Sequence, residues 1–163
     1  MEILELIKKR RSIRRYTSQP IAEEAIKQII QAGMNAPSAR NLQPREFIIV
    51  KDRQLLEQLS QVKTHASMVK GSNITIILWM HNVSNFYQQD TGTCMQNMML
   101  TATALGIGSC WIGIGDEQEW QIRNLCTIPE DIHIPCLLAL GYPDEKKEKN
   151  DYFFEEKIHR DWW

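Results

Sequence analysis

The stretch that most constrains the fold of this chain is NITIILWM at 73–80, which is apolar at nearly every position. A strand with one face in water alternates polar and apolar residues, whereas a near-continuous apolar run is typical of a strand covered on both faces. The chain therefore needs a layer of structure on each side of a sheet. Three similar runs, REFIIV, SCWIGI and HIPCLLALGY, predict further strands at 45–50, 109–114 and 133–142.

Helical periodicity predicts the elements between these strands. Apolar residues recur at helical spacing in a first helix at 2–10, and in a second helix that follows Pro20 and ends at a Gly33 cap. Further helices are predicted after a capping Asp52, at 84–105 and at 117–126. A small sheet between layers of helix is an α+β fold of the α/β-sandwich kind.

Length, composition and charge narrow the function classes. The 163 residues, 43% of them hydrophobic, predict one domain spanning 1–163 with its own core. No run reaches the roughly 18 apolar residues of a membrane span, and the N-terminus does not resemble a signal peptide, so we predict a cytoplasmic protein with no membrane partner. The net charge of −1 argues against a nucleic-acid partner. The cysteines and histidines lack C-x-x-C and H-E-x-x-H spacing, which predicts no metal site.

Against this balanced charge, the basic run KKRRSIRRY at 8–16 is unusual. On a continued first helix, Arg10 and Arg14 would lie on the same stripe as Ile3 and Ile7. An arginine that faces a core is costly unless it is paired. Either the helix ends near Arg10, or the arginines meet a buried anion. If the run is considered by itself, a basic patch exposed to solvent explains it as well as an anion-binding site does.

Two other segments have the composition of binding loops. The loop NAPSARNLQP is stiffened by two prolines and carries the hydrogen-bonding side chains of Ser38, Asn41 and Gln43. These side chains suit the polar edge of a planar heterocycle. An ordinary turn with polar side chains explains the same composition. In GIGSCWIGIGD the glycines lack dinucleotide-binding spacing, but Gly113 would let the backbone approach a flat ligand. No catalytic triad or carboxylate pair is recognisable, so any enzymatic chemistry would reside in a bound cofactor rather than in a catalytic side chain.

Taken in order, four motifs resemble the FMN-dependent nitroreductase family. They are RRSIRRY, APSARNLQPREFIIV, DTGTCMQNMMLTATALGIGSCWIGIGD, and LLALGYP before a charged tail that ends in EEKIHRDWW. The resemblance extends over essentially the whole chain and indicates a short member. It implies a nitroreductase-like fold, with a mostly antiparallel central sheet flanked by helices. It also implies a homodimer with FMN at the subunit interface and exchanged C-terminal tails. The aromatic residues of the tail, 144–163, suit docking on the partner, and packing on the chain's own domain explains them equally well.

The same resemblance assigns roles to individual residues. Arg10 and Arg14 would contact the FMN phosphate, Ser12 would donate a hydrogen bond nearby, and Arg11 would lie along the polar edge of the flavin. Four residues of the partner's loop would reach the flavin ring or the ribityl chain: Pro37, Ser38, Ala39 and Asn41. Gln43 would support the conformation of that loop. Gly113 and Ile114 would lie beside flavin N5. The basic residue that completes the phosphate site stays open among three candidates, Lys147, Lys149 and Arg160.

The implied activity is transfer of hydride from NAD(P)H through flavin N5 to an electron-poor acceptor, nitroaromatic or quinone-like, in a ping-pong cycle. Stretches 64–72 and 116–121, with Met68, Trp111 and Trp120, are candidates for the acceptor pocket. Alternatives are a flavin-binding or flavin-storage protein with little turnover, an enzyme resembling flavin-dependent reductive dehalogenases, or an interaction module that uses the basic run.

Overall fold

The computed structural model describes residues 2–81 and 85–163 and contains one four-stranded antiparallel sheet. Its strands are β1 (Arg45–Val50), β2 (Ile74–His81), β3 (Gly108–Gly113) and β4 (Ile132–Gly141), in the order β1-β2-β4-β3. All four predicted strands are confirmed. Because β3 pairs with β4 on one side only, its other side forms an edge of the sheet.

Within the described residues, five α-helices accompany the sheet: α1 (Ile3–Lys9), α2 (Glu23–Met34), α3 (Arg53–Gln61), α4 (Tyr87–Ala104) and α5 (Asp116–Cys126). Short 3₁₀ helices lie at Ala39–Asn41, Thr64–Gly71 and Glu155–Lys157. Asp52 caps α3 as predicted, since its Oδ1 accepts the Leu55 N–H at 2.7 Å. The predicted first residue of the long helix, 84, lies outside the described residues. None of the described helices has the length and apolarity to cross a membrane.

The sheet is covered on both faces, as the composition of β2 predicted. Ile76 and Leu78 belong to a core cluster with residues of α2 and α4, whereas Ile77 belongs to a second cluster with residues of α3 and α5. All three side chains are fully buried. The alternation of a strand thus assigns successive apolar side chains to opposite layers.

Gly33 is not the cap of the second helix, and that prediction was wrong. Helix α2 continues to Met34, and Asn35 caps it. A Cβ at Gly33 would lie only 2.8 Å from Met98 Cγ and 3.0 Å from Cys94 Sγ. The glycine therefore serves the close packing of α2 on α4.

The first helix ends at Lys9, which decides between the two alternatives for the arginines. Arg10 already has extended backbone angles. The apolar side chains on this helix do not enter the core of their own chain, since Ile3 is 70% and Ile7 44% exposed. The stripe that they form with Leu4 thus lies on the surface.

Candidate cofactor site

The arginine segment, residues 10–16, lies along the outer edge of β3. Ile13 N–H donates to the Ser109 carbonyl at 2.9 Å, and Ser12 forms a parallel bridge with Ser109. Ile13 itself is buried. The basic run is thereby fixed to the sheet by its backbone, and Arg14 and Arg15 are exposed.

The backbone of Gly113 opens onto the same edge. In an antiparallel pair, successive residues of a strand alternately turn their N–H and C=O toward and away from the neighbour. Ile114 N–H donates to the Pro135 carbonyl at 2.9 Å, so Gly113, one residue earlier, points away from β4. Lys63 Nζ donates to the Gly113 carbonyl at 3.0 Å, which agrees with that direction. The Gly113 N–H therefore faces outward, whereas the Ile114 N–H is already used.

A cleft of about 330 Å³, here called the Arg14 cleft, joins these two features. Arg14 and Gly113 both line it, and further lining residues include Lys63, His65, Met68, Cys110 and Trp111. Two residues assigned by resemblance to opposite ends of a flavin thus share one groove. Met68 and Trp111, which the sequence offered for an acceptor pocket, lie there as well.

Arg11 is oriented differently from Arg14. Its Nη1 donates to Asn150 Oδ1 at 2.6 Å and to the Glu148 carbonyl. It lines a separate cleft of about 300 Å³ together with Lys147. In the single chain, Arg11 therefore binds the beginning of the C-terminal tail.

The tail fixes the arginine segment from the other side. Glu145 Oε1 accepts the Arg14 N–H at 2.5 Å and the Arg15 N–H at 3.2 Å. The bond from the Arg14 backbone is the main reason that the pKa of Glu145 lies below its ordinary value. Further backbone bonds join Asp144 to Arg15 and Asn150 to Lys8, both at 2.9 Å, so the tail runs back along the segment.

The three candidates for an additional phosphate ligand lie in different places. Lys147 is near the arginine segment, 3.4 Å from Glu145 Oε2. Lys149 pairs with Glu5 at 3.3 Å, and Arg160 pairs with Glu155 at 2.8 Å within the tail. Lys147 also lines the cleft of about 300 Å³ that contains Arg11.

The buried thiol and phenol next to the cleft are not poised as nucleophiles. Burial raises the pKa of the Cys110 thiol, and the nearby Arg14 opposes that shift only in part. Burial also raises the pKa of Tyr16, whose hydroxyl donates to the Ile13 carbonyl at 2.5 Å. Both groups are therefore neutral near pH 7. Within 2–81 and 85–163, no cluster of His, Cys, Asp and Glu forms a metal-binding group.

The loop of residues 37–43 is held in a constrained conformation. Arg40, Asn41 and Gln43 all have positive φ angles, 54°, 55° and 47°. Residues other than glycine rarely adopt positive φ angles, because this backbone conformation is strained, and residues that do so cluster at functional sites. Internal bonds fix the loop, since Ser38 Oγ accepts the Gln43 N–H at 2.9 Å and Asn41 Oδ1 accepts from Gln43 Nε2 at 3.0 Å.

The loop does not meet the Arg14 cleft within one chain. Among the described residues, none from 37–43 lines that cleft. A third cleft, about 630 Å³, adjoins Gly113 from the α4 side and contains Ile114, Asp116 and Glu119. Part of the predicted acceptor stretch 116–121 is therefore near Gly113, but the side chain of Trp120 is 66% exposed and lies outside this lining.

Sequence reasoning missed two residues that shape the site. Lys63 contacts Gly113 from a turn far away in sequence, and nothing local indicates that contact. Asp90 is buried in α4 and accepts the Ala39 N–H at 2.9 Å. A single acidic residue within a Met-rich helix was the available signal for Asp90, since a buried carboxylate requires partners.

Comparison with known proteins gives a consistent result. A family model described as "Putative TM nitroreductase" matches residues 2–160. A relative from Archaeoglobus fulgidus named "Putative NADH dehydrogenase/NAD(P)H nitroreductase" is 37% identical over 99% of both chains. The fold is similar to that of an "FMN-dependent Nitroreductase" from Clostridium difficile, with a TM-score of 0.94, 28% identity, and coverage of 99% of this chain and 100% of the other. A protein from Desulfovibrio desulfuricans described as a "putative nitroreductase in complex with fmn" has a TM-score of 0.85 and 28% identity, with coverage of 100% of this chain and 98% of the other.

Proposed function

Because the chain belongs to the nitroreductase family, we propose that it binds FMN along the outer edge of β3 and acts as an NAD(P)H-dependent flavin oxidoreductase. The observation that carries the proposal is the shared cleft of Arg14 and the outward-facing Gly113 N–H. From Ser109, the bridge partner of Ser12, to Gly113 the strand advances ~13 Å, at about 3.3 Å per residue. The proposed anion-binding end and ring-binding end would thus lie along one strand.

The residues present fit the cofactor. A phosphate monoester carries up to two negative charges, and charge-assisted hydrogen bonds to it are stronger than neutral ones. Arg10 and Arg14 would neutralise the phosphate, and the Ser12 hydroxyl would donate to it. Lys147 is favoured over Arg160 as a further cation, because it already lies beside the arginine segment.

When bound, FMN would accept hydride from NAD(P)H at N5 and pass it, in a second step, to an electron-poor acceptor such as a nitroaromatic or a quinone. The chain contributes orientation and electrostatics. The Gly113 N–H would donate to the N5 edge and stabilise negative charge that grows on the ring. A Cβ at Gly113 would have no neighbour within 4 Å, so the space over this residue is open.

The second half of the site would come from the partner in a homodimer. Asn41 and Gln43 of the strained loop are exposed, yet no residue of 37–43 lines the Arg14 cleft of its own chain. The partner's copy of Ser38 and Asn41 could then contact the ring or the ribityl chain. Exposed aromatic side chains in the tail support an association of this kind.

Arg14→Ala tests the phosphate role, with Arg15→Ala as a control of equal charge change. We expect Arg14→Ala to weaken FMN binding by about 2 kcal/mol, roughly thirtyfold, and to leave riboflavin binding unchanged because riboflavin has no phosphate. Arg15→Ala should bind FMN as the unchanged protein does. The unchanged protein should also show flavin absorbance and oxidise NAD(P)H. Absence of FMN binding would refute the proposal, and binding without turnover would indicate flavin storage.

Mixed dimers test the shared site. One protomer carries Arg14→Ala and the other carries Ser38→Ala with Asn41→Ala. If arginines and loop act on each other's chains, one of the two sites in the mixed dimer combines two unchanged halves, and tight binding of one FMN per dimer returns. If both act within one chain, every site contains a defect and tight binding stays lost. That second result would contradict the interface site.

A further inference from the structure

Asp90 is a buried carboxylate whose hydrogen bonding is incomplete. It lies in the first turn of α4 and is 5% exposed. Its Oδ1 accepts the Ala39 N–H at 2.9 Å, and its Oδ2 has no hydrogen-bond partner among the described residues. Burying a charged group is costly unless its bonds compensate. A residue of this kind needs a reason beyond packing.

The bond from Asp90 ends where the strained part of the loop begins. Ala39 directly precedes Arg40 and Asn41, both in the left-handed region. One turn along α4, Thr93 Oγ1 donates to the Pro37 carbonyl at 3.1 Å. Two side chains of one helix therefore hold both ends of the short stretch that contains Ser38.

On the basis of the function proposed above, we propose that Asp90 is a positioning residue for the flavin-contacting loop. Its carboxylate fixes the Ala39 N–H, and this fixes the direction in which Ser38 and Asn41 leave the surface. The strained conformation persists only where surrounding structure determines it. Without the bond, the loop relaxes and its polar groups lose alignment with a ligand in the neighbouring site.

Asp90→Ala and Asp90→Asn form a matched pair of variants. The amide oxygen of asparagine can still accept the Ala39 N–H, whereas alanine cannot. We expect Asp90→Ala to weaken riboflavin and FMN binding equally, by about tenfold, and Asp90→Asn to restore most of that loss. Equal loss for both ligands distinguishes this role from a phosphate contact. Ser60→Ala is the control, since it removes a buried side-chain hydrogen bond on α3 away from the loop.

Ala39→Pro tests the same bond from its other end. Proline removes the N–H and is tolerated at the first position of a short helix, where Ser38 already has extended backbone angles. The variant should lose affinity for both flavins, and combining it with Asp90→Ala should add no further loss. If the Asp90→Ala protein does not fold, the Ala39→Pro variant alone still tests the role of this hydrogen bond.

Two results would overturn the inference. One is a folded Asp90→Ala protein, or a folded Ala39→Pro protein, that binds riboflavin as tightly as the unchanged protein. The other is additive loss in the double variant. A purely structural role would lower the melting temperature without changing the affinity of the folded protein. Failure of the unchanged protein to bind either flavin would instead refute the proposed function.

Discussion

Gly108 is the residue on which the docking of the arginine segment depends. A Cβ at this position would lie 2.8 Å from both Cβ and Cγ2 of Ile13. Those atoms belong to a branched, buried side chain, which cannot move aside as a flexible end would. Because Ile13 is adjacent to Ser12 and Arg14, pressure on it would displace the side chains assigned to phosphate binding.

We therefore expect Gly108→Ala to lower the free energy of unfolding by about 1–3 kcal/mol and to weaken FMN binding. Denaturant unfolding and FMN titration measure the two effects. Gly71→Ala is the matched control, because a Cβ at Gly71 would find no neighbour within 4 Å. A Gly108→Ala protein with unchanged stability would show that the contact with Ile13 is easily relieved.

At the scale of elements, the arginine segment and the beginning of the tail stabilise each other through Glu145. Its pKa is lowered, mainly by the Arg14 N–H. A lowered folded-state pKa means that the carboxylate contributes stability above its ordinary value of 4.5, and that this contribution is lost as pH falls through the lowered value. Glu145 therefore contributes to the stability of the fold at neutral and mildly acidic pH.

We expect Glu145→Gln to be less stable than the unchanged protein at pH 7, and the difference in melting temperature to shrink as pH falls below 4.5. Glu148→Gln is the control, since only the backbone carbonyl of Glu148 binds Arg11. At pH 7, Glu148→Gln should melt at the same temperature as the unchanged protein. A Glu145→Gln difference that grows toward acid would contradict the assigned sign.

The elements of the core could be predicted because their signal is local. The bounds of β1 match the predicted 45–50, and the apolar run of β2 correctly required cover on both faces. Gly33 was misassigned because its function is set by Met98, a residue of another helix. A helix-ending glycine and a close-packing glycine look alike in sequence, and only tertiary contact separates them.

The ordered motifs could name candidate residues, but not the contacts that hold them. Arg14 and Gly113 were candidates from those motifs, and the structure brings them into one cleft. The contact of Glu145 with Arg14 joins residues 131 positions apart, so no local pattern encodes it. The orientation of Arg11 toward the tail has the same origin. Contacts of this range depend on how the whole chain folds.

At the scale of the whole molecule, the chain exposes more apolar surface than an isolated subunit can explain. From Asp151 onward every residue of the tail is exposed. Its large aromatic side chains are exposed by 45% to 101%: Tyr152, Phe153, Phe154, Trp162 and Trp163. The stripe of α1 with Ile3, Leu4 and Ile7 is exposed as well. Apolar surface of this extent typically marks an interface.

Removal of 152–163 should therefore convert the proposed dimer into a monomer, because the deleted aromatic side chains would pack on the partner in that dimer. FMN affinity should fall with it, since the loop of residues 37–43 acts from the second chain in the proposed site. Sedimentation over a range of protein concentrations measures the association, and FMN titration measures the site. The deletion leaves the arginine segment and Glu145 in place, so a monomer should still fold.

The deletion removes both the aromatic side chains and the backbone of the tail. A full-length variant in which the five tail aromatics are changed to serine tests the side chains alone. Lys157→Ala, a change at the surface of the same tail, is its control. The serine variant should dissociate like the deletion, because apolar burial drives the association. Lys157→Ala should associate as the unchanged protein does, since the cation of Lys157 lies over the ring of Phe154 within the same tail. If the serine variant stays a dimer with full FMN content, the aromatics have another function, and the partner's loop must be held in place by other contacts.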